Sequence, residues 1–259
     1  MSSRGGKQQT AIQESLAERA YSIIRERILR GELPLGAILS RRRLTTDLGM
    51  SLLPVAEALQ RLENDGLVES KPRVGTRVRI PSAQDIRERY VMREALECQA
   101  ARLFASNASP QQRRELIRMA DQMDVLFKRS AGGDNDPEFL HAVHSFHFQL
   151  HMRIADGADC GVLRDAIERN QVLIFNWLFD VAARRRALPP RFHQELARAI
   201  TGEDPQVAAN AMRFHIQYGL EDIVRGIDLP REGEWRFPRR DADSDADGGC
   251  RSEIEVRTP

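Results

Sequence analysis

Residues 40–80, SRRRLTTDLGMSLLPVAEALQRLENDGLVESKPRVGTRVRI, decide the fold of the amino-terminal part. They read as two short helices, a tight turn between them and a basic hairpin. Ser40 is placed to cap the first helix, and Gly49 to end it in the left-handed conformation that a residue with a Cβ resists. Ser51 is placed to cap the second. Pro54 falls in that helix's first turn, where a missing N–H breaks no intrahelical bond, and Val55, Ala58, Leu59 and Leu62 form an apolar stripe. Gly66 closes it. Leu67 to Ser70 and Thr76 to Ile80 read as strands joined by Lys71-Pro72-Arg73-Val74-Gly75, a cationic wing tip. That order of parts is a winged helix-turn-helix, in which the first residues of the second short helix meet the bases of duplex DNA.

Upstream, Leu16, Ala20, Ile23, Ile24 and Ile28 recur at helical spacing, which predicts a support helix ending near Gly31. Residues 1–13 are polar and read as a disordered arm. Downstream, Pro81 breaks the strand, and Ser82 with Asp85 forms a capping box that opens a new helix. From 82 to about 227 the chain reads as about six helices. Ser109-Pro110, Asp136-Pro137 and Asp204-Pro205 mark starts, each a cap followed by proline at the first helical position. Residues 131–135, AGGDN, form the clearest interior loop. The expected class is mostly α. The expected organisation is an arm at 1–13, a winged helix-turn-helix at 14–80, an all-α bundle at 81–229 and a disordered tail at 230–259.

A length of 259 residues suits two domains, and a net charge of +1 argues for no partner by itself. Its distribution says more. Residues 1–80 hold 14 Lys/Arg against 9 Asp/Glu, and residues 81–259 hold 25 against 29. The basic half is the one suited to phosphate. Cys98, Cys160 and Cys250 share no ligand spacing, and their odd count suits reduced thiols and a cytoplasmic location. No apolar run approaches the roughly 20 residues of a membrane span, and the amino terminus lacks a signal-peptide core.

With IIRERILRGELPLGAIL leading in and the phrase SxxPVxEALxRLExxGLV at 51–68, residues 17–80 resemble the DNA-binding domain of the GntR regulators. In the FadR-like branch, the resemblance implies DNA contacts from an arginine at the start of the first short helix and two in the second. The first matches Arg42, but the other two positions hold Leu52 and Ala56, so that part does not carry over. Arg41, Arg42 and Arg43 crowd a helix start, where the macrodipole disfavours cations, and so point to an anionic neighbour such as phosphate. The alternative is a solvated charge run paired with nearby acids. The candidate DNA-contacting residues are Arg41, Arg42, Arg43, Ser51, Leu52, Lys71, Arg73, Gly75 and Arg77, with Arg79 beside them. Ordinary solubility is the alternative for the wing cations. Leu52 and Leu53 can touch thymine methyl groups, or Leu53 can pack inward.

All six histidines lie between 141 and 215. His147 and His151 stand one helical turn apart, about 40° around the axis, and His144 about 60° from His147. Imidazoles so placed converge on one cation, or pack as polar core residues. The region 84–226 resembles the FCD effector domain of the same regulators, through RYVMREALECQAARLFA, HMRIADGADCGVLRDAI and FHQELARAITGEDPQVAANAMRFHI. The resemblance implies a metal held by an aspartate, a histidine four residues later and two further histidines. The three histidines become His151, His193 and His215, and the aspartate position holds His147. An all-imidazole set shifts preference toward zinc, with nickel, cobalt or copper as alternatives. His141 and His144 read as surface or supporting groups.

The resemblance also implies a small organic acid effector that completes the metal's coordination and pairs with an arginine. Arg93 is the candidate, its alternative a structural salt bridge. Asn170 and Asn176 are candidate pocket residues, and Trp177 is placed to pack the core. The leading expectation is therefore a transcription regulator, a repressor by resemblance, binding a palindromic operator as a homodimer. The rivals are a metal-dependent hydrolase with a DNA-binding head and a constitutive architectural DNA binder. HFQLH at 147–151 has the two-histidine spacing of zincins, but Phe148 stands where their glutamate base belongs, so no enzyme is expected. The architectural reading leaves the histidines unexplained.

Overall fold

Ser15 accepts a hydrogen bond from the Glu18 N–H and so starts α1 (Leu16–Leu29), whose Ala20, Ile24 and Ile28 are fully buried. They meet the apolar stripe Val55, Ala58, Leu59 and Leu62 of the helix at Leu52–Asn64. The rim of that contact is polar: the Tyr21 hydroxyl donates to Asp65 at 2.6 Å, and the Arg61 guanidinium lies 4.3 Å over the Tyr21 ring. The computed structural model describes residues 14–71, 75–132, 136–181 and 188–226, without the side chains of 137, 172–181, 222 and 224–226. The arm at 1–13, Arg73, Cys250, the tail at 230–259 and the side chains of Asn176 and Trp177 lie outside the described residues.

The rest of the amino-terminal head is β1 (Ile38–Leu39), α2 (Arg41–Leu48), α3 (Leu52–Asn64), β2 (Val68–Lys71) and β3 (Gly75–Val78). The strands form an antiparallel sheet in the order β1-β3-β2, with Ser70 opposite Thr76 and Ile38 opposite Arg77. Ser40 caps α2, and Gly49 ends it at φ +63°. Ser51 precedes α3 in extended backbone but makes no side-chain capping bond, so its hydroxyl is not used as foreseen. Two other details differ. β1 was not anticipated, because two residues carry no alternation to read. β3 stops at Val78, and Arg79 instead pairs with Asp85 at 2.5 Å.

Six helices follow: α4 (Ala83–Asn107), α5 (Pro110–Ala131), α6 (Pro137–Gly157), α7 (Gly161–Val181), α8 (Phe192–Ile200) and α9 (Pro205–Gly226). The starts of α4, α5, α6 and α9 are where cap chemistry put them. Ser82 with Asp85 and Ser109 with Gln112 form capping boxes, and Asp136 accepts from the Phe139 N–H. α4 is the central rod, packed by α6, α7, α8 and α9. Its inward stripe runs Ile86, Tyr90, Arg93, Glu97, Ala101 and Phe104, all buried. Two charged residues thus interrupt an apolar stripe at the middle of the bundle. Near one end of α6, Gly157 lies so close to the Phe104 ring that a Cβ there would stand 2.3 Å from it.

Candidate metal centre and DNA-reading surface

One turn apart on α6, His147 and His151 face the bundle interior, where α9 contributes His215. The three Nε2 atoms form a nearly equilateral triangle: His147 to His151 3.2 Å, His151 to His215 3.2 Å, and His147 to His215 3.3 Å. Each Nε2 either carries a proton or offers a lone pair. His151 cannot donate from this atom, because its Nδ1–H is spent on the Glu97 carboxylate at 2.6 Å. With Nε2 unprotonated on all three rings the lone pairs converge as a ligand set for one cation; with a proton on His147 or His215 the same spacing is an imidazole–imidazole hydrogen bond. Zinc–nitrogen bonds of about 2.0 Å at tetrahedral angles set ligand atoms about 3.3 Å apart, which is the spacing found.

A carboxylate orients one of the three rings, that of His151, from behind, as is usual for metal-bound histidines, while His215 Nδ1 is buried without a hydrogen-bond partner among the described residues. Glu97 is buried and accepts from His151, from Arg93 Nε at 2.8 Å and from Gln171 Nε2 at 2.6 Å. Burial alone would raise its pKa. The adjacent Arg93 and His151 more than reverse that and hold it down at about 2. Burial pushes His147 and His215 well below the ordinary histidine range, and the neighbouring imidazoles and Arg93 add to the effect. Neutral imidazole is the form that binds a metal.

His193 packs directly against the triangle. Its ring lies 5.2 Å from that of His147 and 5.4 Å from that of His215, as near as the rings of His147 and His215 lie to each other at 5.4 Å. Asp124 of α5 explains the position. Its carboxylate accepts from the His193 backbone N–H at 3.0 Å, from His193 Nδ1 at 2.7 Å and from the Gln194 N–H at 3.1 Å. Those bonds cap α8, whose own N-cap residue, Arg191, supplies none. All four expected histidines are thus gathered at one place, His147, His151 and His215 through their Nε2 atoms and His193 by the contact of its ring with theirs.

Arg93 forms the structural salt bridge weighed for it. It pairs with Glu97, and its Nη2 reaches His151 Nε2 at 3.1 Å. It also lines a cavity of about 40 Å³ with Tyr90, Phe127, His147, His193 and His215. Asn170 lies elsewhere: its Nδ2 donates to the Arg89 carbonyl, and it faces the groove between the head and the bundle with Tyr21 and Arg61. His144 is buried but outside the triangle, and His141 is half-buried beside Arg25 and Glu26 of α1. Sequence reasoning missed Glu97 and Asp124. The spacing of Arg93 and Glu97 on one helix face was a legible signal for the first. Asp124 lies 69 residues from His193 and had none.

On the head, Arg41, Arg42 and Arg43 are exposed at the start of α2, with Arg43 3.8 Å from Asp47. Leu52 and Leu53 are exposed at the start of α3, so neither packs inward. Lys71, Gly75 and Arg77 stand on the hairpin. Arg77 is tied to Glu69 at 2.6 Å, and Lys71 lies 4.0 Å from the same carboxylate. Ser51 is exposed.

A three-stranded winged head joined to an all-helical bundle defines a DNA-binding regulator with a second, helical domain. The chain belongs to the GntR family of bacterial regulatory proteins, whose family model matches residues 16–78, and carries an FCD domain, matched over 88–218. It is 30% identical to a probable D-xylose utilization operon transcriptional repressor of Paenarthrobacter nicotinovorans, over 78% of this chain and 86% of that one. It is 28% identical to the HTH-type transcriptional repressor RspR of Escherichia coli K12, over 81% and 89%. Among solved structures, E. coli McbR/YncC matches with a TM-score of 0.67 at 21% identity, covering 82% of this chain and 99% of that one. A putative GntR regulator from Rhodococcus sp. RHA1 matches equally, at 0.67 and 22%, over 81% and 97%. No helix among the described residues is long and apolar enough to cross a membrane.

Proposed function

We propose that the protein is a repressor that binds a palindromic operator as a homodimer through residues 14–80, and that a small organic acid entering a metal-bearing pocket in residues 81–229 modulates that binding. The observation that carries this reading is the Nε2 triangle of His147, His151 and His215, backed by Glu97 and rimmed by Arg93. Zinc fits the all-nitrogen donor set best. Bound there, the ion would supply a Lewis-acid position for a carboxylate, and Arg93 would supply the opposing positive charge. The names of the two relatives support repression. Val207 and Phe214, seven residues apart on one face of α9, leave apolar surface exposed, which supports pairing of two chains.

The size of the cavity bears on mechanism. The cavity of about 40 Å³ has room for a few water molecules, so a small carboxylate entering it meets Arg93 and the histidines directly and competes with His151 for the Arg93 guanidinium. Such a ligand favours one arrangement of the bundle over another, which is what modulation of DNA binding requires. The test is a gel-shift titration on an operator selected from random duplexes, with the zinc-loaded protein and a panel of small mono- and dicarboxylic acids. At least one acid should change operator affinity in the wild type and not in Arg93→Ala. Equal affinity across the panel would overturn the reading.

A further inference from the structure

Leu52 and Leu53 open α3 with 60% and 68% of their surface exposed. The stripe that holds α3 to α1 is complete without them: Pro54, Val55, Ala58, Leu59 and Leu62 are the buried residues of the helix. Two adjacent leucines in water at the first turn of a reading helix have no role in folding the head. In a winged helix-turn-helix that turn lies against base edges in the major groove. The one apolar group on those edges is the C5-methyl of thymine.

Resting on the DNA-binding reading above, we propose that Leu52 and Leu53 read thymine methyl groups in each operator half-site and are this protein's specificity-determining residues. The rest of the surface fits that division of labour. Arg41, Arg42 and Arg43 are exposed cations on α2, suited to phosphate, which positions a protein without reporting sequence. Ser51 is exposed and makes no side-chain cap, which leaves its hydroxyl for the same backbone. From Ser51 to Glu57 the helix offers no arginine, lysine, asparagine or glutamine, so bidentate recognition of guanine or adenine has no side chain there. Exposed Glu57 is an acceptor and disfavours phosphate.

The test uses the full-length protein and an operator selected from random duplexes. Each thymine of one half-site is replaced in turn by deoxyuridine, which lacks only the methyl. At one or two positions binding should weaken about fourfold, the worth of one buried methyl group. Leu52→Ala or Leu53→Ala should abolish the sensitivity at its own position while leaving the melting temperature unchanged. Indifference of the wild type to every replacement would overturn the proposal, as would a selected half-site without thymine. Leucine variants that lose the same affinity on thymine and uracil operators would also overturn it, placing the leucines against another surface. Failure to bind any duplex would refute the DNA-binding reading itself.

Discussion

Glu97, buried, receives hydrogen bonds from Arg93, His151 and Gln171, so its removal strands a buried guanidinium and frees the His151 ring. Breaking a buried pair from one side costs about 3–5 kcal/mol. Glu97→Ala should lower unfolding free energy by about that amount in urea titrations, and Glu97→Gln by less. The pH dependence follows from the same groups. Glu97 is lowered from 4.5 to about 2, so its contribution is complete above 4.5 and is lost as pH falls from there through about 2. His147 and His215 are lowered from 6.5, so below 6.5 the unfolded chain takes up protons that the folded chain refuses. Chelated protein should therefore lose stability as pH drops below 6.5, well before Glu97 titrates. A flat melting temperature between pH 7 and 5 would contradict that assignment. His147 and His151 were legible because helical spacing fixes their separation. The carboxylate that orients His193 was not, because Asp124 comes from another helix.

At the scale of elements, helix starts were legible wherever a side chain makes the cap, as at Ser82, Ser109 and Asp136. They were illegible where the cap comes from elsewhere. α8 begins after a left-handed arginine and is capped by Asp124 of α5, which no local pattern encodes. Likewise β1 exists only because Ile38 and Leu39 find β3. The contact of α6 with α4 has a sharper consequence. Phe104 is completely buried and cannot swing away from a Cβ at Gly157. Gly157→Ala should destabilise by about 1–3 kcal/mol through overpacking, against the helix-propensity gain that alanine brings on an exposed helix. Thermal melting of the two proteins decides it, and an unchanged or raised melting temperature would show that α4 and α6 yield at this contact.

Across the whole molecule, α6 carries the metal candidates on one face and meets the head on another. His141 of α6 lies in a groove with Arg25, Glu26 and Leu29 of α1, and Arg30 of α1 lies 3.8 Å from Glu138. The same helix thus runs from the histidines to the groove beside α1. The general division into a winged head and a helical bundle was legible from turn residues and caps, and the groove that joins them was not. The account's central claim is that His147, His151 and His215 hold a transition metal. Its most direct measurement is a zinc titration of chelated, tag-free protein, followed by calorimetry and elemental analysis. We predict about one zinc per chain for the wild type, and none for a His147→Ala, His151→Ala, His215→Ala variant whose circular dichroism remains helical. No stoichiometric zinc in the wild type, or equal binding by the folded triple variant, would contradict it.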